Sequence, residues 1–236
     1  MEHDDFTAAV IGVSALAEPV RRDLYLYIAT QADAVSRDQA SQGVGVARHT
    51  AKFHLDRLVA DGLLETEFRQ LSRRRGPGSG RPTKLYRRSA GEVSVSLPQR
   101  HYDLAGHLMA QAIEDTSVGL LVIDALHQAA EREGARIGEE IRAELGARPG
   151  RTAVRAGVCT ALAGRGYEPR THGREIALIN CPFHALAQEH TALVCGMNFA
   201  LLGALVERAD RGRITARLDP AETRCCVVLE LAGSTA

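Results

Sequence analysis

The sequence contains no tryptophan, and aromatic residues make up only 4% of its 236 residues. It also lacks an apolar run near the roughly 18 to 20 residues that a membrane-spanning helix needs. The most apolar N-terminal stretch, Ala8 to Ala17, follows three acidic residues instead of the basic segment of a secretory signal. With 45% apolar and 25% charged residues, the chain can bury a globular core. We therefore expect a cytoplasmic protein with no membrane partner.

Cysteine is scarce and unevenly placed. The five cysteines are too few for a disulfide framework in a chain of this length, and an odd number suits a reducing cytoplasm. All five follow residue 158.

Net charge is also absent, because 29 basic residues balance 29 acidic ones, but the balance differs by region. Residues 1–90 carry 14 basic and 11 acidic residues, and the segment from Arg69 to Arg88 contains eight basic residues and no acidic one. This pattern predicts two modules of opposite charge, with a site for a polyanion or a flexible basic loop in the first.

Local signals predict four helices and then two strands in the first 90 residues. Pro19 suits the first position of a helix, and the capping box Ser36-Arg-Asp-Gln39 predicts another helix from Arg37. The apolar stripe formed by Ala51, Leu55 and Leu58 predicts a fourth helix, which ends before Gly62. Two strands, at 63–69 and 83–87, flank the basic loop. This order is that of a winged helix-turn-helix.

The exposed face of the fourth helix would enter a major groove, and the arginines of the loop would reach phosphates or a narrow minor groove. The sequence leaves open which contacts read bases and which bind phosphates. The predicted DNA-binding residues are Arg48, His49, Lys52, Arg73, Arg74, Arg75, Arg81 and Lys84.

The segments from Gly43 to Thr66 and from Gly80 to Tyr86 resemble the DNA-binding domain of bacterial ArsR/DeoR-like winged-helix regulators. The resemblance implies a transcription factor that binds double-stranded DNA. It also implies a homodimer on a palindromic operator, because one such domain reads few base pairs.

The rest of the chain is also predicted to combine helices and strands, so we expect an α+β fold class. We expect a winged helix-turn-helix over 1–90, a helical linker or dimerisation segment over 91–150, and an α+β sensor domain over 151–236. In the last part, strands are predicted at 175–180, 214–218 and 226–231, with helices around Val158 and from Ala192 to Arg208.

The cysteines of this last part do not have zinc-ribbon spacing, since 13 residues separate Cys181 from Cys195 and 29 separate Cys195 from Cys225. They fit ligands contributed by three different elements, whose thiolates could converge on one cofactor as an iron–sulfur cluster requires. Cys225 and Cys226 are adjacent, so a regular strand would turn them to opposite faces and leave one as a ligand.

This constellation after a winged helix resembles the SufR-type iron–sulfur repressors. The resemblance implies a cluster of the [4Fe-4S] type on Cys181, Cys195 and one of Cys225 and Cys226. Candidates for the fourth ligand are the other cysteine of that pair, His184, His190 and Cys159.

Two alternatives remain open. The same regulator could sense zinc, thiol oxidation or a small apolar ligand, with structural cysteines and no iron. The second alternative is an enzyme that uses Cys181 and His184 as a thiol–imidazole pair. The sequence shows no other recognisable set of catalytic residues and no phosphate-binding loop, so we expect that the protein is not an enzyme.

Overall fold

A computed structural model describes residues 2–70, 82–116, 119–146 and 149–232. The chain divides into two compact units, Met1–Val95 and Ser96–Ala236, hereafter unit 1 and unit 2. Both combine helices with antiparallel strands, which confirms the predicted α+β fold class.

Unit 1 places four helices around a small sheet. Its elements are α1 (Glu2–Ala15), α2 (Pro19–Ala29), β1 (Val35–Ser36), α3 (Arg37–Val44), α4 (Arg48–Ala60), β2 (Leu64–Arg69) and β3 (Thr83–Arg88). The sheet has the order β1-β3-β2, and β2 pairs with β3 along its whole length. Because the two-residue β1 carries no alternating pattern, the sequence did not predict it.

The ends of these helices follow from local chemistry. Pro19 begins α2, and both hydrogen bonds of the predicted capping box are present at Ser36 and Gln39. Gly45 and Gly62 adopt left-handed backbone angles, with φ of 75° and 77°, where each helix gives way to a turn. Side chains from α2, α4 and the sheet, among them Leu24, Leu55 and Tyr86, close the core of this unit.

Unit 2 is a larger helical layer on a four-stranded sheet. Its elements are α5 (Tyr102–Asp115), α6 (Val122–Leu145), α7 (Arg151–Ala163), β4 (Pro169–His172), β5 (Glu175–Leu178), α8 (His184–Glu189), α9 (Thr191–Asp210), β6 (Ile214–Leu218) and β7 (Val227–Leu231). The strand order is β4-β5-β7-β6. The sequence did not predict β4, a mostly exposed edge strand without apolar alternation.

The helices of residues 91–150 share one core with the last part of the chain. We predicted a segment of its own there, whereas α5 and α6 contribute Leu108, Leu126 and Ile137 to the core that also holds β5, β7 and α9. The difference arises because α6 is amphipathic and buries its apolar face on α9.

The central helix of unit 2 is α9. Among the described residues it alone is long and apolar enough to cross a membrane. Its side chains at Met197, Leu201, Leu202 and Leu205 are at most 1% exposed and lie inside the core. The helix is thus the core helix of a packed domain.

Candidate functional site

Four thiols meet in unit 2. Cys181 follows β5, Cys195 lies early in α9, and Cys225 and Cys226 precede β7; we call these four residues the cysteine cluster. Neighbouring thiols lie close enough for hydrogen-bond interactions to shift their pKa values, in the pairs Cys181 and Cys225, Cys225 and Cys226, and Cys226 and Cys195. Three separate elements therefore bring the four sulfur atoms into one row of contacts.

Cys225 and Cys226 both take part in this row. The predicted alternation of their side chains does not apply, because the strand begins only at Val227 and Cys226 lies in a bend. The adjacent pair can therefore supply two donors to one site, where the sequence suggested one.

The environment favours the neutral form of the thiols. The hydrogen bond with Cys225 and burial raise the pKa of Cys181 far above its ordinary range. At Cys225 the bond with Cys181 lowers the pKa, but the bond with Cys226 and burial outweigh it and raise the pKa to about 12. Burial also raises the pKa of Cys195. Such thiols are protonated at neutral pH, the opposite of an activated nucleophile.

A buried hydrogen-bond chain supports the cluster. The Asn198 Nδ2 donates to the Cys225 Sγ at 3.2 Å, and the Tyr167 hydroxyl donates to the Asn198 Oδ1 at 2.6 Å. Both side chains belong to residues that are 1% exposed. On the other side, the Arg100 guanidinium donates to the Cys181 carbonyl oxygen at 2.9 Å and to the side chain of Asn180.

The other predicted ligands lie elsewhere. His184 begins α8 and is exposed, as is His190. Cys159 on α7 is hydrogen-bonded to Thr171 and packs against the core. The His184 amide donates to the Cys181 carbonyl oxygen at 3.1 Å, but within the described ranges no side-chain hydrogen bond or ion pair joins these three residues to the thiols of the cysteine cluster. Among the residues that the structure describes, no group of three or more His, Cys, Asp or Glu residues is placed so that it could hold a metal ion.

A second candidate surface lies in unit 1, on the first turns of α4. Arg48, His49 and Lys52 are exposed there, as predicted for a reading helix. The Arg48 Nη2 lies 2.6 Å from the Asp38 Oδ2, which holds the guanidinium between α3 and α4. The Lys52 Nζ lies 3.1 Å from the Asp56 Oδ2.

Asp56 connects α4 with the wing strand β3. Its Oδ1 accepts hydrogen bonds from the Lys84 Nζ at 2.7 Å and the Tyr86 hydroxyl at 3.1 Å. Burial alone would raise the pKa of Asp56, but the hydrogen bonds from Lys84, Lys52 and Tyr86 outweigh it and lower the pKa. The carboxylate thereby fixes Lys84 beside the reading helix. The remaining predicted wing residues lie outside the described residues: Arg73, Arg74, Arg75 and Arg81.

Comparison with known families identifies this region. A family model described as a helix-turn-helix domain matches residues 16–67, which run from the end of α1 into β2. These residues are a helix-turn-helix domain. The match supports a DNA-binding transcriptional regulator. No curated protein and no solved structure matches the chain.

Helix α4 also carries an exposed aromatic residue that is not among the predicted DNA contacts. Phe53 is 68% exposed on α4, directly after Lys52 and one turn beyond His49. The i, i+4 spacing from His49 is the signal that would have found it, since the two residues share a face. An exposed ring on a reading helix is suited to an apolar contact with a thymine methyl group.

Proposed function

We propose that the protein is a transcriptional repressor that holds an iron–sulfur cluster on Cys181, Cys195, Cys225 and Cys226. The observation that carries this proposal is the convergence of four thiols from three elements in the unit that follows the helix-turn-helix domain. Cysteine thiolates are the ligands that [4Fe-4S] clusters use, and four of them complete the set without a histidine.

The donor set fits the cofactor chemically. Four sulfur donors in a mostly apolar core favour a soft metal centre over the hard cations that take oxygen ligands. Neutral thiols must lose their protons to become ligands, so loading would release protons and would weaken at low pH. The bound cluster would supply a centre that oxidation can change or destroy.

The surrounding residues have defined roles in this proposal. The Asn198 amide would hold the Cys225 sulfur by a hydrogen bond, and Tyr167 fixes the orientation of that amide. Hydrogen bonds to cluster sulfurs and nearby charge are the means by which a protein sets a cluster's potential. Arg100 holds the backbone of Cys181 and places a positive charge near a site that becomes anionic.

We further propose a homodimer on a palindromic operator. Support comes from α1, where Phe6, Val10, Ile11 and Val13 are each 40% to 50% exposed. An apolar helix face of this kind is typical of an interface. In a dimer, the cluster would act by favouring one arrangement of the two reading helices, and a coupling of 1–3 kcal/mol changes operator affinity roughly 5- to 150-fold.

The test is anaerobic purification followed by absorption between about 300 and 600 nm and by iron, sulfide and zinc analysis. We expect a brown protein with iron and acid-labile sulfide. In Cys181→Ser the colour should be lost, and operator affinity should no longer change on exposure to air. Cys159→Ser is the matched control, because this thiol lies outside the cysteine cluster, and it should retain both properties.

Two outcomes would redirect the assignment. A colourless protein with about one zinc per chain would favour a structural or zinc-sensing centre, since four thiolates also suit tetrahedral zinc. A protein that stays metal-free after anaerobic reconstitution would contradict both metals and leave thiol oxidation or an organic ligand as the signal. DNA binding by the helix-turn-helix domain is independent of these outcomes.

A further inference from the structure

A second site lies in unit 2, in a cavity of about 380 Å³ at the start of α7. Its wall contains four arginines and one aspartate, together with Thr152 and the apolar end of β7. The charged residues are Arg151, Arg155, Arg174, Arg213 and Asp210. Four guanidinium groups against one carboxylate make the cavity strongly positive, and none of its lining residues is a cysteine.

The arginines are held in different ways. The Arg174 Nε and Nη2 both donate to the Leu231 carbonyl oxygen, at 3.0 and 2.8 Å, which fixes that guanidinium at the cavity wall. The Arg213 Nε lies 3.3 Å from the Asp210 carbonyl oxygen. For Arg155 the described part of the chain offers neither a hydrogen bond nor an ion pair, although a guanidinium has five donors. The cavity therefore presents donors in excess of its acceptors.

The first turn of α7 adds further donors. The helix begins after Gly150, which has no side chain to cap it, and Arg151 and Thr152 are its first two residues. Amide groups at the start of a helix have no acceptor within the helix and favour a bound anion.

Asp210 provides an independent observation. The residue is 4% exposed, and its Oδ1 accepts no hydrogen bond from the described residues, the nearest cation being the Arg213 Nε at 3.4 Å. A buried carboxylate without its hydrogen bonds costs stability, so such a group calls for a partner. The partner must be a hydrogen-bond donor, because an ionised carboxylate only accepts.

We propose that this cavity binds a small phosphorylated metabolite, with the phosphate on Arg155, Arg174 and the start of α7, beside Asp210, so that a hydroxyl group of the ligand or of the phosphate itself donates to that carboxylate. Guanidinium groups recognise phosphate by paired, charge-assisted hydrogen bonds. A cavity of this volume is in the range of small-ligand sites and exceeds the space that phosphate alone requires. The regulator would thus have a metabolite input that does not depend on the cysteine cluster.

Inorganic phosphate and sulfate are informative probes. Both are tetrahedral anions, but hydrogen phosphate carries a proton that it can donate to Asp210, whereas sulfate at neutral pH has none. With the full chain in low-salt buffer, calorimetry should show binding of phosphate and of glycerol phosphate. Sulfate should bind at least about tenfold more weakly, equivalent to about 1.4 kcal/mol.

Two variants test the assigned roles. Arg155→Gln removes a charge that forms no hydrogen bond or ion pair with the described residues, and should weaken phosphate binding at least about tenfold. Arg170→Gln, which changes an exposed arginine on β4, should not. Asp210→Asn removes the repulsion between the carboxylate and sulfate. It should bring the affinities for phosphate and sulfate within about threefold of each other, which mere structural damage would not do.

The proposal is wrong if wild-type protein binds neither phosphate nor glycerol phosphate at millimolar concentration, or binds sulfate as tightly as phosphate. Undiminished phosphate binding by Arg155→Gln would also overturn it. So would displacement of phosphate by duplex DNA, which would make the cavity a contact for the DNA backbone. Because the cavity contains no cysteine, these results are independent of the presence of iron.

Discussion

At the scale of single residues, Asp56 shows how a carboxylate can organise a DNA-binding surface. It holds Lys52 of the reading helix and Lys84 of the wing strand at once, and it also accepts from Tyr86. The sequence predicted both lysines as DNA contacts but gave no reason to connect them. Their common partner could not be predicted, because residues 56 and 84 are brought together only by tertiary folding.

The lowered pKa of Asp56 predicts a pH dependence of stability in unit 1. A carboxyl group whose folded pKa lies below its unfolded value of about 3.9 stabilises the fold above that value, and this contribution is lost as the pH falls through the folded pKa. Urea unfolding followed by NMR signals of unit 1 should show Asp56→Asn less stable than wild type at pH 7, by less than about 1 kcal/mol because the group is partly exposed. The difference should shrink toward pH 3.

Lys84→Met is the control for this assignment. It removes the first hydrogen-bond donor to Asp56, so a carboxyl NMR titration should give a higher pKa for Asp56 than in wild type. A stability difference between wild type and Asp56→Asn that is independent of pH would contradict the proposed role of the charge.

Phe53 lies exposed on the reading helix, and we predict that its ring contacts a thymine methyl group of the operator. On an operator obtained by selection, replacing the contacted thymine with uracil removes one methyl group and should weaken wild-type binding roughly fourfold, from about 0.8 kcal/mol of lost apolar burial. Phe53→Ala should bind both operators equally. Leu26→Ala, which changes an exposed apolar residue of α2, should retain the wild-type preference. If replacing each thymine with uracil weakens operator binding equally in wild type and in Phe53→Ala, Phe53 does not contact a thymine methyl group.

At the scale of secondary-structure elements, close approach of α6 and α9 determines the core of unit 2. A Cβ atom at Gly134 would lie 2.0 Å from the Leu201 carbonyl oxygen, and one at Gly138 would lie 2.4 Å from the Leu205 carbonyl oxygen. Backbone atoms of a packed helix cannot move aside for an added methyl group as the end of a flexible side chain can. The two glycines, one turn apart, therefore allow α6 to lie directly against the backbone of α9.

We expect Gly134→Ala to destabilise unit 2 by about 1–3 kcal/mol or more, because the added methyl group forces the two helices apart. Gly106→Ala is the matched control, since a Cβ there, on the exposed face of α5, meets nothing within 4 Å. It should stabilise the helix by about 0.5–1 kcal/mol. Thermal unfolding followed by circular dichroism compares the two variants. Equal effects of both substitutions would show that the helix–helix distance is not limited by Gly134.

The sequence was informative about elements wherever the signal is local. The capping box at Ser36, the proline at the start of α2 and the strand at 214–218 are read within a few residues, and the structure confirms them. Periodicity is less informative on α5, where Ile113 is 66% exposed although its neighbours Leu108 and Ala112 are buried. Periodicity also could not show that residues 91–150 share a core with the last part of the chain, since α9, the partner of α6, lies some 60 residues further along the chain.

At the scale of the whole molecule, each unit has a hydrophobic core of its own. The resemblance to SufR-type repressors pointed to Cys181, Cys195 and one of Cys225 and Cys226, whereas the presence of both members of that pair beside the other thiols depends on where β7 begins. The supporting pair Tyr167 and Asn198, and the arginines around Asp210, come from distant positions and become neighbours only through the fold. Long-range pairing of this kind leaves no periodic trace in the chain.

Separate cores predict that residues 1–95 fold without unit 2, since a segment of this length can bury a core of its own. Expressed alone, this fragment should give a dispersed NMR spectrum and bind duplex DNA, with affinity that falls as salt is raised because its contacts include phosphates. Its affinity should be the same with and without air, whereas that of the iron-loaded full chain should change by roughly 5- to 150-fold. A response to air in the fragment would contradict the assignment of sensing to the cysteine cluster, because all five cysteines lie in unit 2.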